Sequence, residues 1–172
     1  MPQTNGPAAG SPAQQSAGPQ PGKVAGVHDV EAIAARLRAA QSLPELLAVS
    51  FDAFEAIRVL TRGNEGVVPA LFAAFMTVAD TAVDGREAIT VAPSLSPAPG
   101  GTLVTSPPAA TADIDTITDA LAALGALLGE RLAHTADRAL IPGDRAACQE
   151  AAKAGRRIHQ LMARDDNDRH LR

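Results

Sequence analysis

The sequence predicts an all-α protein: a bundle of about five helices around a central antiparallel hairpin, with a disordered N-terminal tail and a long flexible loop. Three observations carry this. Apolar residues recur at three- and four-residue spacing between residues 27 and 164, and no stretch reads as a strand. The four aromatic residues are all phenylalanines, in two F-x-x-F pairs, Phe51/Phe54 and Phe72/Phe75, whose apolar surroundings are joined by the polar segment Thr61-Arg62-Gly63-Asn64-Glu65-Gly66. Residues 1–26 and about 92–110 are rich in Pro, Gly, Ala and Ser and have little to bury.

The first helix is expected from about Asp29 to Ala40, with Val30, Ile33, Leu37 and Ala40 on one face. Ser42-Leu43-Pro44-Glu45 then opens a second helix. Ser42 serves as cap, Glu45 completes a capping box, and Pro44 falls where a missing N–H costs nothing. Leu47, Phe51, Phe54, Ile57 and Leu60 point inward, and Gly63 reads as the stop. A third helix is expected from near Val67 to about Asp84, ended by Gly85, with Val68, Leu71, Phe72, Phe75, Ala79, Ala82 and Val83 inward.

The stretch 92–110 is long for a structureless segment inside a compact domain and reads as a linker or exposed loop. A fourth helix, about Ala112 to Ala136, carries Asp113, Asp115 and Asp119 near its positive end. Its seam is Ile114, Ile117, Leu121, Leu124, Leu128 and Leu132. Pro142-Gly143-Asp144 breaks the chain before a fifth helix, about Asp144 to Ala163, burying Ala147, Ala151, Ala154, Ile158 and Leu161. Residues 27–164 thus form one domain, and 165–172 form a charged tail.

Folding the second and third helices about Asn64/Glu65 places Phe54 level with Phe75, Ile57 with Phe72 and Phe51 with Val78. The aromatic core expected from this register is one ladder of Phe51, Phe54, Phe72 and Phe75. Ring pairs of that kind add about 0.5–1.5 kcal/mol beyond area burial. A ladder that enclosed a small apolar ligand is the alternative, but no polar group converges on the rings to orient one.

At 172 residues the chain has room for one domain plus tails. Hydrophobic residues make up 46%, but many are alanine, which buries little area, so modest stability or help from self-association is expected. The net charge of −4 gives no general attraction to nucleic acid or anionic membrane. The single Cys148 excludes an intrachain disulfide framework and a multi-cysteine zinc site. The segment Met1–Gly6 has no basic or apolar signal region, and the apolar run from Ala120 stops at Glu130, short of the ~20 residues of a membrane span. A cytoplasmic protein without membrane contact is expected.

Motifs for chemistry are sparse. Asp80 and Asp84 lie one turn apart with Glu87 beyond, at the expected end of the third helix; two carboxylates are weak evidence for a metal, and a solvated acidic end is the simpler account. His28, His134, His159 and His170 lack ligand spacing. Cys148 on an alanine-rich helix reads as a small buried residue rather than a nucleophile coupled to His159. No P-loop, dinucleotide or nucleophile-elbow motif occurs. The chain is expected to be no enzyme and to need no cofactor or metal.

Two features point to surfaces. Gly125 and Gly129 form G-x-x-x-G inside the fourth helix, where each glycine costs ~1 kcal/mol relative to alanine. Close approach of another helix accounts for them, with the fifth helix preferred to a homodimer seam. Lys153, Arg156, Arg157 and Arg164 form a basic stripe on the fifth helix, suited to an acidic partner surface or to phosphates. Glu150 and Asp165, Asp166 and Asp168 offset it, so a protein partner is preferred to DNA.

The runs Ser42-Leu-Pro-Glu-Leu-Leu-Ala-Val-Ser-Phe-Asp-Ala-Phe-Glu-Ala-Ile57, Leu71-Phe-Ala-Ala-Phe-Met-Thr-Val-Ala-Asp80 and Arg156-Arg-Ile-His-Gln-Leu-Met-Ala-Arg164 resemble small accessory proteins of actinomycete plasmids and integrative elements. That resemblance spans about half the chain and implies a non-enzymatic regulatory or adaptor protein, such as an activator of replication or gene expression of a mobile element. A homo-oligomeric structural bundle and a small apolar-ligand sensor are the alternatives.

Overall fold

The computed structural model describes residues 27–64, 69–95 and 113–163, which form five helices and one 3₁₀ turn, with no strand among the described residues. The helices are α1 (Val27–Ala39), α2 (Leu43–Asn64), α3 (Phe72–Thr90), α4 (Ile114–Arg138) and α5 (Pro142–Met162); the 3₁₀ turn is Pro69–Leu71. The expected tails at 1–26 and 165–172, and the expected loop from residue 96 onward, lie outside the described residues. Helix neighbours follow a closed ring: α1 on α2, α2 on α3, α3 on α5, α5 on α4, and α4 back on α1. The core fills the middle of that ring, with Leu37, Leu47, Ile57, Leu121, Leu128 and Ile158 fully buried. No helix among the described residues is long and apolar enough to cross a membrane.

Local signals set most of the helix starts. Ser42 Oγ accepts from Glu45 N at 3.4 Å, and the Glu45 carboxylate accepts from Gln41 N at 3.1 Å. The capping box therefore closes one residue earlier than its usual form. Asp113 caps α4 by accepting from Asp115 N. Pro142 opens α5, where its fixed φ suits the first helical position. That draws Asp144, expected as the first residue, inside the helix and into the core.

The central hairpin forms in a different register from the one expected. Phe54 lies against Gly85, Glu55 pairs with Arg86, and Arg62 reaches Met76 and Asp80. This displaces the expected pairing of Phe54 with Phe75 by about ten residues, roughly three helical turns. Pro69 opens the 3₁₀ turn and α3 begins only at Phe72, so the reversal sits later in the chain. The length is recovered at the other end, where α3 runs through Gly85 to Thr90.

The ladder of four rings is therefore not formed. Phe54 and Phe75 are buried, Phe51 is half-buried, and Phe72 is 48% exposed because it stands at the hairpin tip, past the end of α2. Leu71 and Val83, expected inward, are also only half-buried, and Val68 lies outside the described residues. Gly85 ends no helix; a Cβ there would sit 2.5 Å from the Phe54 ring, so the missing side chain is the space the ring occupies. Gly63 likewise lies within the last turn of α2.

One carboxylate holds the new register. Glu55 accepts from Arg58 Nε at 2.9 Å within α2 and from Arg86 Nη1 at 2.6 Å across to α3. The Arg86 guanidinium also lies 5.7 Å from the centre of the Phe51 ring, a cation–π contact. The Arg58 hydrogen bond, followed by the charges of Arg58 and Arg86, holds the Glu55 carboxyl below its ordinary value despite partial burial.

The α4–α5 packing depends on missing side chains. A Cβ on Gly125 would lie 2.8 Å from His159 N and 2.9 Å from Gly155 O; one on Gly155 would lie 2.7 Å from Gly129 N. Both would meet backbone, so neither can be relieved by a rotamer. A Cβ on Gly129 would meet the Arg156 Cγ at 2.8 Å, the stem of that side chain, and the Arg156 backbone N at 3.2 Å, so it is tight as well, with its backbone contact looser than at the other two. The G-x-x-x-G seam is thus covered by the chain's own α5, which leaves it no room as a homodimer seam. Gly155 is the third member, and the sequence reading missed it.

These contacts predict an order of costs. Gly125→Ala and Gly155→Ala should each destabilise by about 1–3 kcal/mol through overpacking, against a helix-propensity gain of about 1 kcal/mol, while Gly129→Ala, with the looser backbone contact, should cost less than either. Urea unfolding of the three variants checks this; equal stability for all three would mean that the helices do not approach so closely. For Glu55 the folded-state pKa is depressed, so its contribution is present above the unfolded carboxylate value near 4.3 and is lost as pH falls through the folded value. Glu55→Gln should therefore lower stability at pH 7 and flatten its decline below about pH 4.5, as read from melting temperature against pH.

Candidate functional site

The basic stripe lies on the outward side of α5. Arg145, Lys153, Arg156 and Arg157 are all exposed, and Glu150 is the helix's only exposed carboxylate among the described residues. The inward side is Ala147, Cys148, Ala151, Ala152, Gly155 and Ile158, small enough to bring α5 close to both α3 and α4. Helical periodicity then leaves the cations as a ridge between the two neighbours. Of the expected Ala154 and Leu161 in the buried face, both are only half-buried.

The cations differ in their surroundings. Lys153 Nζ pairs with Glu150 at 2.7 Å, both partners more than half exposed, a pair worth little in water. Arg156 lays its stem over Gly129 on the α4 side. It borders a shallow groove with Asp137, Gln149 and Lys153. Arg157 faces the α3 side, in a cleft of about 280 Å³ with Thr81, Asp84, Glu150, Lys153 and Ala154. Neither arginine makes an ion pair or hydrogen bond among the described residues. Arg164 lies outside the described residues.

One member of the acidic pair, Asp84, proves to border this same face. Asp80 and Asp84 were expected at the C-terminal end of a helix; α3 runs on to Thr90, so both sit mid-helix, away from the unfavourable end of its dipole. Asp80 pairs with Arg62 at 3.3 Å, and Asp84 shares the cleft with Arg157. The structure thus brings Asp84 and Arg157 together across the α3–α5 boundary, while Asp80 turns to α2. Sequence periodicity could not show this, because it depends on which helices are neighbours.

Two polar residues to which the sequence reading gave no packing role anchor α5. Asp144 is completely buried and accepts from Ser94 N at 2.9 Å and from Ser94 Oγ at 2.6 Å. This fixes the start of the expected 92–110 loop: Ala92 is buried and bonded to Ile89, and Ser94 is tied to α5. At the other end, His159 Nδ1 donates to the Ala122 carbonyl at 3.1 Å, since that oxygen can only accept. His159 is therefore occupied with α4 and does not meet Cys148. The signal for Asp144 was present as an acid in the first turn after Pro142, but that pattern usually means a solvated helix start.

Cys148 lies one turn beyond Asp144 and is fully buried. Burial, and then the Asp144 charge, push its thiol up to about 11. At pH 8 the thiolate fraction is on the order of a thousandth, which removes it as a nucleophile.

No family model, curated protein or solved structure matches the chain.

The cysteine supplies the prediction here. Iodoacetamide at pH 8 should leave the native chain unmodified at Cys148 over a period in which the urea-unfolded chain is fully labelled, as read by intact mass. Native labelling at the rate of a free thiol would show that the site is neither buried nor raised.

Proposed function

We propose that the protein is a non-enzymatic regulatory or adaptor protein whose outward α5 ridge docks on an acidic surface of a protein partner. The resemblance of its α2, α3 and α5 segments to accessory proteins of actinomycete plasmids and integrative elements suggests the setting: control of replication or gene expression of a mobile element. One observation carries the docking surface. Arg156 and Arg157 stand side by side on a well-anchored helix, exposed and without an acidic partner among the described residues. Arginine pairs with carboxylates through a planar fork and is enriched where interfaces bind strongly.

Protein is preferred to DNA on charge. Glu150 and Asp84 border the arginines, and the whole chain carries −4. Both would repel a phosphate backbone, whereas a protein surface can place its acids opposite the arginines and its bases opposite Asp84.

The test is an affinity capture with the full chain and its Arg156→Glu/Arg157→Glu variant, matched in helical circular dichroism. A partner retained by the first and released by the second supports the proposal, with the contact weakening as salt rises. Equal capture by both chains removes the ridge from the interface. A salt-steep shift of duplex DNA, lost in the variant, would replace the protein partner with nucleic acid.

A further inference from the structure

A second cationic concavity lies on the other side of the ring, at the corner between α1 and α2. It is a cleft of about 460 Å³, within the range of roughly 300–1,000 Å³ that holds small ligands. Arg38 enters from the last turn of α1; Arg131, His134 and Arg138 come from one face of α4, at spacings of three and four residues. No carboxylate is among the described lining residues. Glu45, at the start of α2, is directed to Gln41 N.

The three guanidiniums are poorly compensated by the chain itself. Arg38 makes no hydrogen bond or ion pair among the described residues. Among the described residues Arg138 reaches only the His134 ring, at 3.3 Å from Nε2, and no carboxylate. Arg131 is the anchor: its Nη2 donates to the Ala40 carbonyl at 2.5 Å, beyond the end of α1, while its Nε is buried without a partner. Three like charges gathered in one concavity repel one another, and no carboxylate among the described lining residues relieves them.

The fold holds them together nevertheless. Arg131 ties α4 to the α1–α2 corner through that carbonyl, and Leu46, beside the cleft, is part of the core. The positive end of α2 also faces this corner, but it offers few donors. Pro44 has no N–H, and the Glu45 amide is taken by Ser42. Ligand recognition here would rest on side chains, with the helix adding only its field.

We propose that this cleft binds a phosphate ester carrying at least two negative charges, with the Arg38 and Arg138 guanidiniums gripping phosphoryl oxygens and Arg131 setting the floor. Planar guanidiniums match phosphoryl oxygens two at a time, and a dianion neutralises what no protein carboxylate does. A monocarboxylate would leave two of the three charges facing each other. The site is separate from the α5 ridge, which contributes no residue to it.

Inorganic pyrophosphate is the probe, titrated calorimetrically into the full chain at fixed ionic strength. Saturable one-to-one binding is expected, falling roughly ten- to a hundredfold in Arg38→Gln/Arg138→Gln, where both altered residues are exposed and the Arg131 tie is untouched. Arg156→Glu/Arg157→Glu should bind pyrophosphate as the unaltered chain does, so failure of the ridge and failure of the cleft are told apart. Competition by ADP assigns the dianion to a free nucleotide, and competition by a 5′-phosphorylated oligonucleotide but not its unphosphorylated form assigns it to a nucleic-acid end; either supports the site. No saturable heat, or binding unchanged in Arg38→Gln/Arg138→Gln, overturns it.

Discussion

The contact on which the rest depends is the approach of α4 to α5 across Gly125, Gly129 and Gly155. An alanine-rich helix has little side chain to bury, so it gains dispersion and apolar burial only if the opposing backbone comes near. Three absent side chains allow that approach. With α5 drawn down onto α4, its alanine face also meets α3, and the ring of helices closes. A wider α4–α5 spacing would open the core along its whole length.

Position on the ring then decides what each helix can offer. α5 spends its small residues on two neighbours and presents its long cations outward. α4 spends Leu121, Leu124, Leu128 and Leu132 on the core, and Gly125 and Gly129 on α5; what remains includes Arg131, His134 and Arg138 on the side facing the α1–α2 corner. Neither cationic surface is a decoration on a finished scaffold. Each is what remains after helical periodicity has assigned the other residues to packing.

The helices were largely legible from the sequence because the signals for them are local. Apolar spacing, Ser42 as a cap, the acids Asp113 and Asp115 near the start of α4, and the break at Pro142-Gly143-Asp144 each act within one turn. The hairpin register was not legible, because it turned on whether glycine meant an end or a gap. Gly63 and Gly85 look like helix stops in isolation, and only the Phe54 ring, more than thirty positions away in register terms of chain length, gives Gly85 its reason to lie inside α3. The same difficulty hid Gly155, Asp144 and Arg131, whose partners Gly129, Ser94 and Ala40 lie on other elements. The basic stripe was visible as composition; that it meets Asp84 required knowing that α3 and α5 are neighbours.

Phe54 and Gly85 share a single packet of volume, the ring filling what the glycine leaves empty. Neither position is constrained alone, since a smaller side chain at one makes room for a larger one at the other. Neighbours in contact are where the effects of two substitutions cease to add. Sequence drift through this hairpin should therefore proceed by paired exchanges of size, with the first change of each pair disfavoured until the second arrives. The glycines between α4 and α5 have no such freedom at Gly125 and Gly155, because what they face is backbone, which no compensating substitution can shrink.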